Sequence, residues 1–249
     1  MIVAVIPARG GSKRIPGKNS KLFCGKPILQ YSIDAALQAN LFDYVMVSTD
    51  CPQLAELAIR LGAEVPFLRP ASLADDFTPT IAVIRQAIAA LEAWPQRSMR
   101  FSEFRPQSKI EFCCCLYPTA PFIQASNLRR GFEQLRDDGA LDFALTVTTY
   151  AFPVFRAFIQ DNQRLQMLFP EHEQTRSQDL PEVWHDAGQF YWGRAEAWKM
   201  TNGPFSAASA GIPIPRMRVQ DIDTPEDWER AELMYQTMQQ NSQHPADDI

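Results

Sequence analysis

The chain has 249 residues, 24 Lys+Arg against 29 Asp+Glu for a net charge of -5, and 46% hydrophobic residues. Such a length and apolar content support one large domain, or one domain with an appendage, and exclude disordered and fibrous classes. The acidic balance argues against a protein that wraps nucleic acid through bulk charge, and no apolar run approaches the roughly 20 residues that span a bilayer.

Residues 2–6 are an apolar run cut off at Pro7 and Arg9, which predicts a first strand rather than a signal peptide. A loop runs on through Asn19. Pro27 then opens a helix whose face carries Ile28, Tyr31, Ile33, Ala35, Ala36 and Leu37. A second strand is expected over 44–47 and a second helix over 52–61, closed by Gly62 at a C-cap position. A helix over 79–94 follows, and the polar, aperiodic stretch 95–110 reads as a surface excursion. Strand 112–117, helix 126–136 and strand 143–148 make another unit. Cys113-Cys114-Cys115 falls in the first of these strands, where cysteine packs as a small hydrophobe. With Cys24 and Cys51 it makes five thiols lacking Cys-x-x-Cys spacing, which are expected to be reduced in a cytoplasmic protein.

Beyond 148 the helical period stops. Segments 154–159 and 164–169 flank Asp161-Asn162 as in a hairpin, so 151–187 is expected to be an inserted β-rich arm. Residues 189–192 return to the core, 225–238 form a last helix, and 239–249 are expected to be a flexible tail. The alternation of strands and helices predicts an α/β, Rossmann-like fold over 1–238: a mostly parallel sheet with helices on both faces.

Two segments carry chemistry. The first strand runs into Pro7-Ala8-Arg9-Gly10-Gly11-Ser12-Lys13-Arg14-Ile15-Pro16-Gly17-Lys18-Asn19, and residues 9–26 hold six basic side chains and no acidic one. Glycines that turn backbone N–H groups outward, ringed by cations, form an anion cradle at the carboxyl end of a strand. It is neither a Walker A loop, because Ser12 and Asn19 stand where that motif needs Gly and Ser/Thr, nor a Gly-x-Gly-x-x-Gly fingerprint. The second is Asp221-Ile222-Asp223-Thr224-Pro225-Glu226-Asp227. Thr224, Pro225, Glu226 and Asp227 fit a helix start. That leaves Asp221 and Asp223, two apart and on one side of an extended segment, suited to a shared cation.

The string Ala-Arg-Gly-Gly-Ser-Lys-Arg-Ile-Pro-Gly-Lys-Asn at 8–19 resembles the signature of the sugar-acid cytidylyltransferases, the family of the CMP-sialic acid synthetases, with the nucleotide-diphospho-sugar transferase type of fold. Further matching segments are Ser48-Thr49-Asp50, Arg69-Pro70, 73–80 and 116–121, so the likeness spans about 1–238. It implies CTP and a nonulosonic acid as substrates, with attack by the sugar's anomeric hydroxyl. It also implies Mg2+ on Asp221 and Asp223, and a homodimer to which the arm contributes. Nucleotide binding falls to Ala8, Arg9, Gly10, Gly11, Ser12, Lys13, Lys18, Asn19, Arg69, Thr78 and Thr80. The catalytic set is Arg9, Lys18, Asp221 and Asp223. The arm and 184–193 resemble the branch acting on pseudaminic acid, which assigns Tyr117, Thr119, Arg156, Arg176, His185, Gln189 and Tyr191 to the sugar. Rival readings are a synthetase for N-acetylneuraminate or legionaminate, and a non-catalytic nucleotide-binding module; nucleic-acid and membrane partners are not expected.

Overall fold

The computed structural model describes residues 1–93, 109–200 and 203–243. Strand β1 (Ile2–Pro7) is apolar throughout because helices cover both of its faces: Ala4 and Ile6 enter one core, Val3 and Val5 the other. A small hairpin, β2 (Leu22–Phe23) and β3 (Lys26–Pro27), leads into α1 (Ile28–Ala39), which ends at Asn40 in the left-handed region. Then come β4 (Tyr44–Ser48), α2 (Pro52–Arg60), α3 (Thr80–Ala93), β5 (Phe112–Leu116), α4 (Ala125–Asp137) and β6 (Phe143–Thr149). The two-stranded arm is β7 (Phe158–Asp161) with β8 (Arg164–Met167). The chain closes with β9 (Trp184–Arg194), α5 (Ala195–Met200), β10 (Ser209–Pro213) and α6 (Pro225–Gln243).

Six strands form one sheet in the order β10-β6-β9-β5-β1-β4, all parallel except β9, which runs antiparallel to both β5 and β6. Helices α1, α2 and α4 pack on one face, α3 and α5 on the other, so the mostly parallel, two-sided α/β fold is the one expected. The cysteine run follows the pleat: Cys114 enters one core, Cys113 and Cys115 the other, and burial pushes all three thiols up.

The structure corrects two boundaries and adds elements that the pattern did not show. β9 begins at Trp184, so 184–187 belong to the central sheet and not to the arm. There Thr148 and Thr149 pair with His185 and Trp184 after a register shift between Leu145 and Val147, and polar, half-covered residues give no apolar period to read. α6 continues through 239–243, because Met234, Tyr235 and Met238 still pack on a third apolar cluster and the glutamines that follow are good helix formers. β10 and α5 escaped the pattern: the edge strand Ser-Ala-Gly-Ile-Pro buries fully only Ile212. The excursion expected at 95–110 falls, up to 108, outside the described residues, as does the tail beyond 243.

Gly193 on β9 sits where a Cβ would collide with the Trp198 indole nitrogen and stand 2.6 Å from Phe143 Cε1. Both rings are fully buried, so neither can yield. Gly193→Ala is expected to lower the unfolding free energy by about 1–3 kcal/mol, read from the midpoint of a urea transition at unchanged slope.

Candidate active site

The loop after β1 is held at two points. Asn19 is buried and its side-chain amide donates to the Arg9 carbonyl at 2.9 Å, closing the loop on itself. Ile15 drops into the third cluster among Phe23, Ile28, Phe122, Ile222 and Trp228. Gly17, at φ +61°, turns the chain between them. Anchored in this way, the loop spreads Arg9, Ser12, Lys13, Arg14 and Lys18 along one wall of a cavity of about 470 Å3 beyond the carboxyl ends of β1 and β5. Arg69, Asp76, Thr78 and Thr80 form another wall, with Tyr117 to Thr119 and Asp223 also facing in.

Ile222 is fully buried in the same cluster that holds Ile15, which turns its neighbours Asp221 and Asp223 outward and brings the acidic segment against the basic loop. Asp223 pairs with Arg14 at 2.9 Å and Lys18 at 3.3 Å. Asp227 instead serves the helix: it accepts from the Thr224 hydroxyl and the N–H groups of Thr224 and Asp223, and Thr224 accepts the Asp227 N–H in return. This reciprocal cap fixes the start of α6, with the Thr224 hydroxyl foremost in holding the Asp227 carboxyl low, and leaves the carboxylates of Asp221 and Asp223 outside it. Partial desolvation and then Asp223 push the Asp221 carboxyl up, while Lys18 pulls it down. Among the described residues no three or more His, Cys, Asp or Glu side chains gather as a metal centre. The two oxygen donors still suit a hard divalent cation that takes its remaining oxygens from a bound phosphate.

Asp76, to which the sequence pattern assigns no role, pairs with both Arg9 and Lys13. Lys13 first and Arg9 next pull its carboxyl below the ordinary range. Its signal is the Asp75-Asp76 doublet, of which Asp75 is used locally, accepting from the Phe77 and Thr78 N–H groups and the Thr78 hydroxyl. Arg69 is buried, and among the described residues its Nε and Nη2 have no hydrogen-bond partner, Nη2 lying 3.9 Å from Asp50. A guanidinium in that condition at a cavity wall is ready to donate to a ligand.

Not every expected residue reaches the cavity. Ala8 is buried, its N–H bonded to the Ser48 carbonyl. Gly10 donates its N–H to Asp50 at 2.9 Å, and its missing Cβ makes room for Cys51. Gly11 also stands outside the lining. Of the residues assigned to a sugar, Tyr117 and Thr119 line the cavity and the other five do not. Tyr191 lies behind Tyr117, with their rings edge to face at 5.4 Å. Gln189 donates to the Arg218 carbonyl at 2.5 Å, and the His185 ring packs at a tilt against Tyr150 with Nδ1 2.9 Å from the Asp186 carbonyl. Arg156 donates to the carbonyls of Glu173 and Thr175, and Arg176 pairs with Asp179 at 2.7 Å, so within one chain both arginines serve the arm itself.

The cytidylyltransferase family model matches residues 3–93. The pseudaminic acid cytidylyltransferase of Campylobacter jejuni subsp. jejuni serotype O:2 is 38% identical over 94% of this chain and 95% of its own. The CMP-N,N'-diacetyllegionaminic acid synthase of Legionella pneumophila is 41% identical, over 53% of this chain and 52% of its own. Among solved structures, a CMP:2-keto-3-deoxy-manno-octonic acid synthetase complexed with CTP superposes with a TM-score of 0.67 at 20% identity, covering 95% of this chain and 99% of that one, and so shares the fold.

Asp76 occupies cations that an anion would otherwise use. Asp76→Asn is therefore expected to tighten binding of inorganic triphosphate by about 3- to 10-fold in calorimetric titration, the yield of releasing two partly exposed ion pairs. Weaker binding in the variant would mean that Asp76 helps build the anion site.

Proposed function

The chain belongs to the pseudaminic acid cytidylyltransferase family, and on that premise we propose that it joins CTP to pseudaminic acid, giving CMP-pseudaminic acid and diphosphate. The observation that carries the reading is the meeting, in one cavity, of the loop cations with Asp223. A triphosphate is the ligand that needs both: cations for its own charge, and a carboxylate pair for the Mg2+ that travels with it.

In this reading Arg9, Lys13 and Lys18 hold the triphosphate, Arg9 and Lys18 stabilise charge as the bond to the leaving diphosphate breaks, and Ser12 and Asn19 complete the loop. Arg69, Thr78 and Thr80 take the cytidine end. Asp221 and Asp223 would hold Mg2+, which when bound supplies charge neutralisation at the phosphates. The sugar acid's anomeric hydroxyl forms the new bond to the α-phosphorus, so the protein needs no covalent nucleophile of its own. Tyr117 and Thr119 face the acceptor. We place the reaction in the cytoplasm, which supplies CTP and keeps the free thiols reduced.

We also assign the arm to a homodimer. Among the described residues β7 and β8 pair only with each other, and Phe152, Phe158 and Leu165 are 83%, 56% and 68% exposed, an apolar surface of the kind that a second copy covers.

Purified protein with CTP, Mg2+ and pseudaminic acid should release diphosphate, and faster than with N-acetylneuraminate or legionaminate; no release with any nonulosonic acid refutes the activity. Asp221→Ala and Asp223→Ala should each slow turnover by about 100-fold or more without moving the thermal transition, and near-normal rates in Mg2+ would remove the metal assignment. Phe158→Ser with Leu165→Ser should shift the mass found by light scattering from two chains to one; a wild-type mass of one chain would dismiss the dimer.

A further inference from the structure

Ser48-Thr49-Asp50, at the end of β4, is tied by hydrogen bonds to both charged walls of the cavity. On one side it holds the loop after β1: Ala8 donates its N–H to the Ser48 carbonyl at 2.9 Å, and Gly10 donates to Asp50 Oδ1 at 2.9 Å. On the other it holds the segment that carries Arg69, whose N–H donates to the Thr49 carbonyl at 2.7 Å. Thr49 is fully buried and its hydroxyl accepts the Cys51 N–H at 3.1 Å. Asp50 therefore has a fixed backbone and a tethered neighbour on each side.

One carboxylate oxygen serves both neighbours. Asp50 Oδ1, which accepts the Gly10 N–H, also lies 3.9 Å from Arg69 Nη2. That separation makes an ion pair without a hydrogen bond, so the carboxylate fixes where the guanidinium charge sits and leaves its N–H groups to another acceptor. Among the described residues Arg69 Nε and Nη2 have no such acceptor. Arg69 is buried and lines the cavity, whereas Asp50 is partly exposed and does not line it, so any effect of Asp50 on a ligand passes through its neighbours. Burial foremost lowers the Arg69 guanidinium from its ordinary value, and Asp50 opposes that, as expected of a carboxylate that keeps a buried cation charged and in place. The loop cations bind phosphate; Arg69 stands across from them. A single oxygen joining the two sets the distance between them.

We propose that Asp50 is a positioning residue that aims Arg69 at the nucleoside end of the nucleotide and, through Gly10, holds that end in register with the cation loop. This rests on the assignment of Arg69 to the cytidine. The full-length protein and its Asp50→Asn, Asp50→Ala and Arg69→Met forms, with Asp50→Asn also combined with Arg69→Met, would be titrated calorimetrically with CMP and with inorganic triphosphate, thermal unfolding verifying that each is folded. Asn keeps an oxygen for the Gly10 N–H and drops the charge that faces Arg69, so Asp50→Asn is expected to weaken CMP about 3- to 10-fold and to leave triphosphate no weaker. Loss of a negative charge by itself would tighten both anions, so weaker CMP binding reports the aim of Arg69 and not the field. Asp50→Ala removes both contacts and should weaken both ligands; the Asn form carries the test alone if the Ala form does not fold. In the Arg69→Met background Asp50→Asn should weaken CMP no further, because its effect passes through that guanidinium. CMP binding unweakened in Asp50→Asn, triphosphate binding that falls equally in that variant, triphosphate binding unweakened in a folded Asp50→Ala, or effects that multiply in the double form would overturn the positioning role alone. Wild-type protein that takes no CMP, or an Arg69→Met form that binds it as tightly, would overturn the assignment of Arg69 to the cytidine, and the positioning with it.

Discussion

A small apolar cluster is the constraint on which the site depends. Ile15 from the basic loop and Ile222 from between the two aspartates are buried in the same group, with Phe23, Phe122 and Trp228 around them. Each carries its polar neighbours to the surface of that cluster and facing the other's. Four loop cations and a carboxylate pair have no reason to stay at a fixed separation in water, where surface ion pairs contribute little. Burial of two isoleucines, about 2–3 kcal/mol each, fixes what the charges alone do not. The Lys18–Asp223 contact joins residues 205 apart in the chain as a consequence of that packing.

The sheet supplies the rest of the geometry. Parallel β1 and β5 deliver their carboxyl ends to one place, which is where a loop and a ligand meet in an open α/β fold. Antiparallel β9 brings Tyr191 beside Cys115 and so sets a phenol under Tyr117, which extends from the end of β5. The cavity accordingly has two characters, charged along the loop and neutral along the end of β5, matching a substrate pair in which one member is mostly phosphate and the other mostly hydroxyl.

Much of this was legible in the chain. β1 and β5 are apolar on both faces, β6 sets apolar residues beside buried threonines, and all three read as strands; the cation loop and the Asp221, Asp223 pair stand out by charge alone. What could not be read had little pattern to give. β10 is an edge strand with a single fully buried side chain. The first residues of β9 are half covered and polar. Gly10 and Gly11 looked like ligand-facing donors, yet Gly10 is a packing residue against Cys51, and only the fold shows which neighbour a missing Cβ accommodates. Asp76 was hidden for another reason: its partners lie more than 60 residues back along the chain, and proximity of that kind has no periodic trace.

β9 lies between β5 and β6, although it follows both in the chain. During synthesis, therefore, a chain that has emerged only as far as the arm holds two sheet fragments, β4-β1-β5 and β6, whose facing edges are one strand apart and unpaired. Open edges of this kind recruit other strands, including those of neighbouring nascent chains. The fold becomes continuous only when residues up to Arg194 are available, and one strand then closes two exposed edges in a single step.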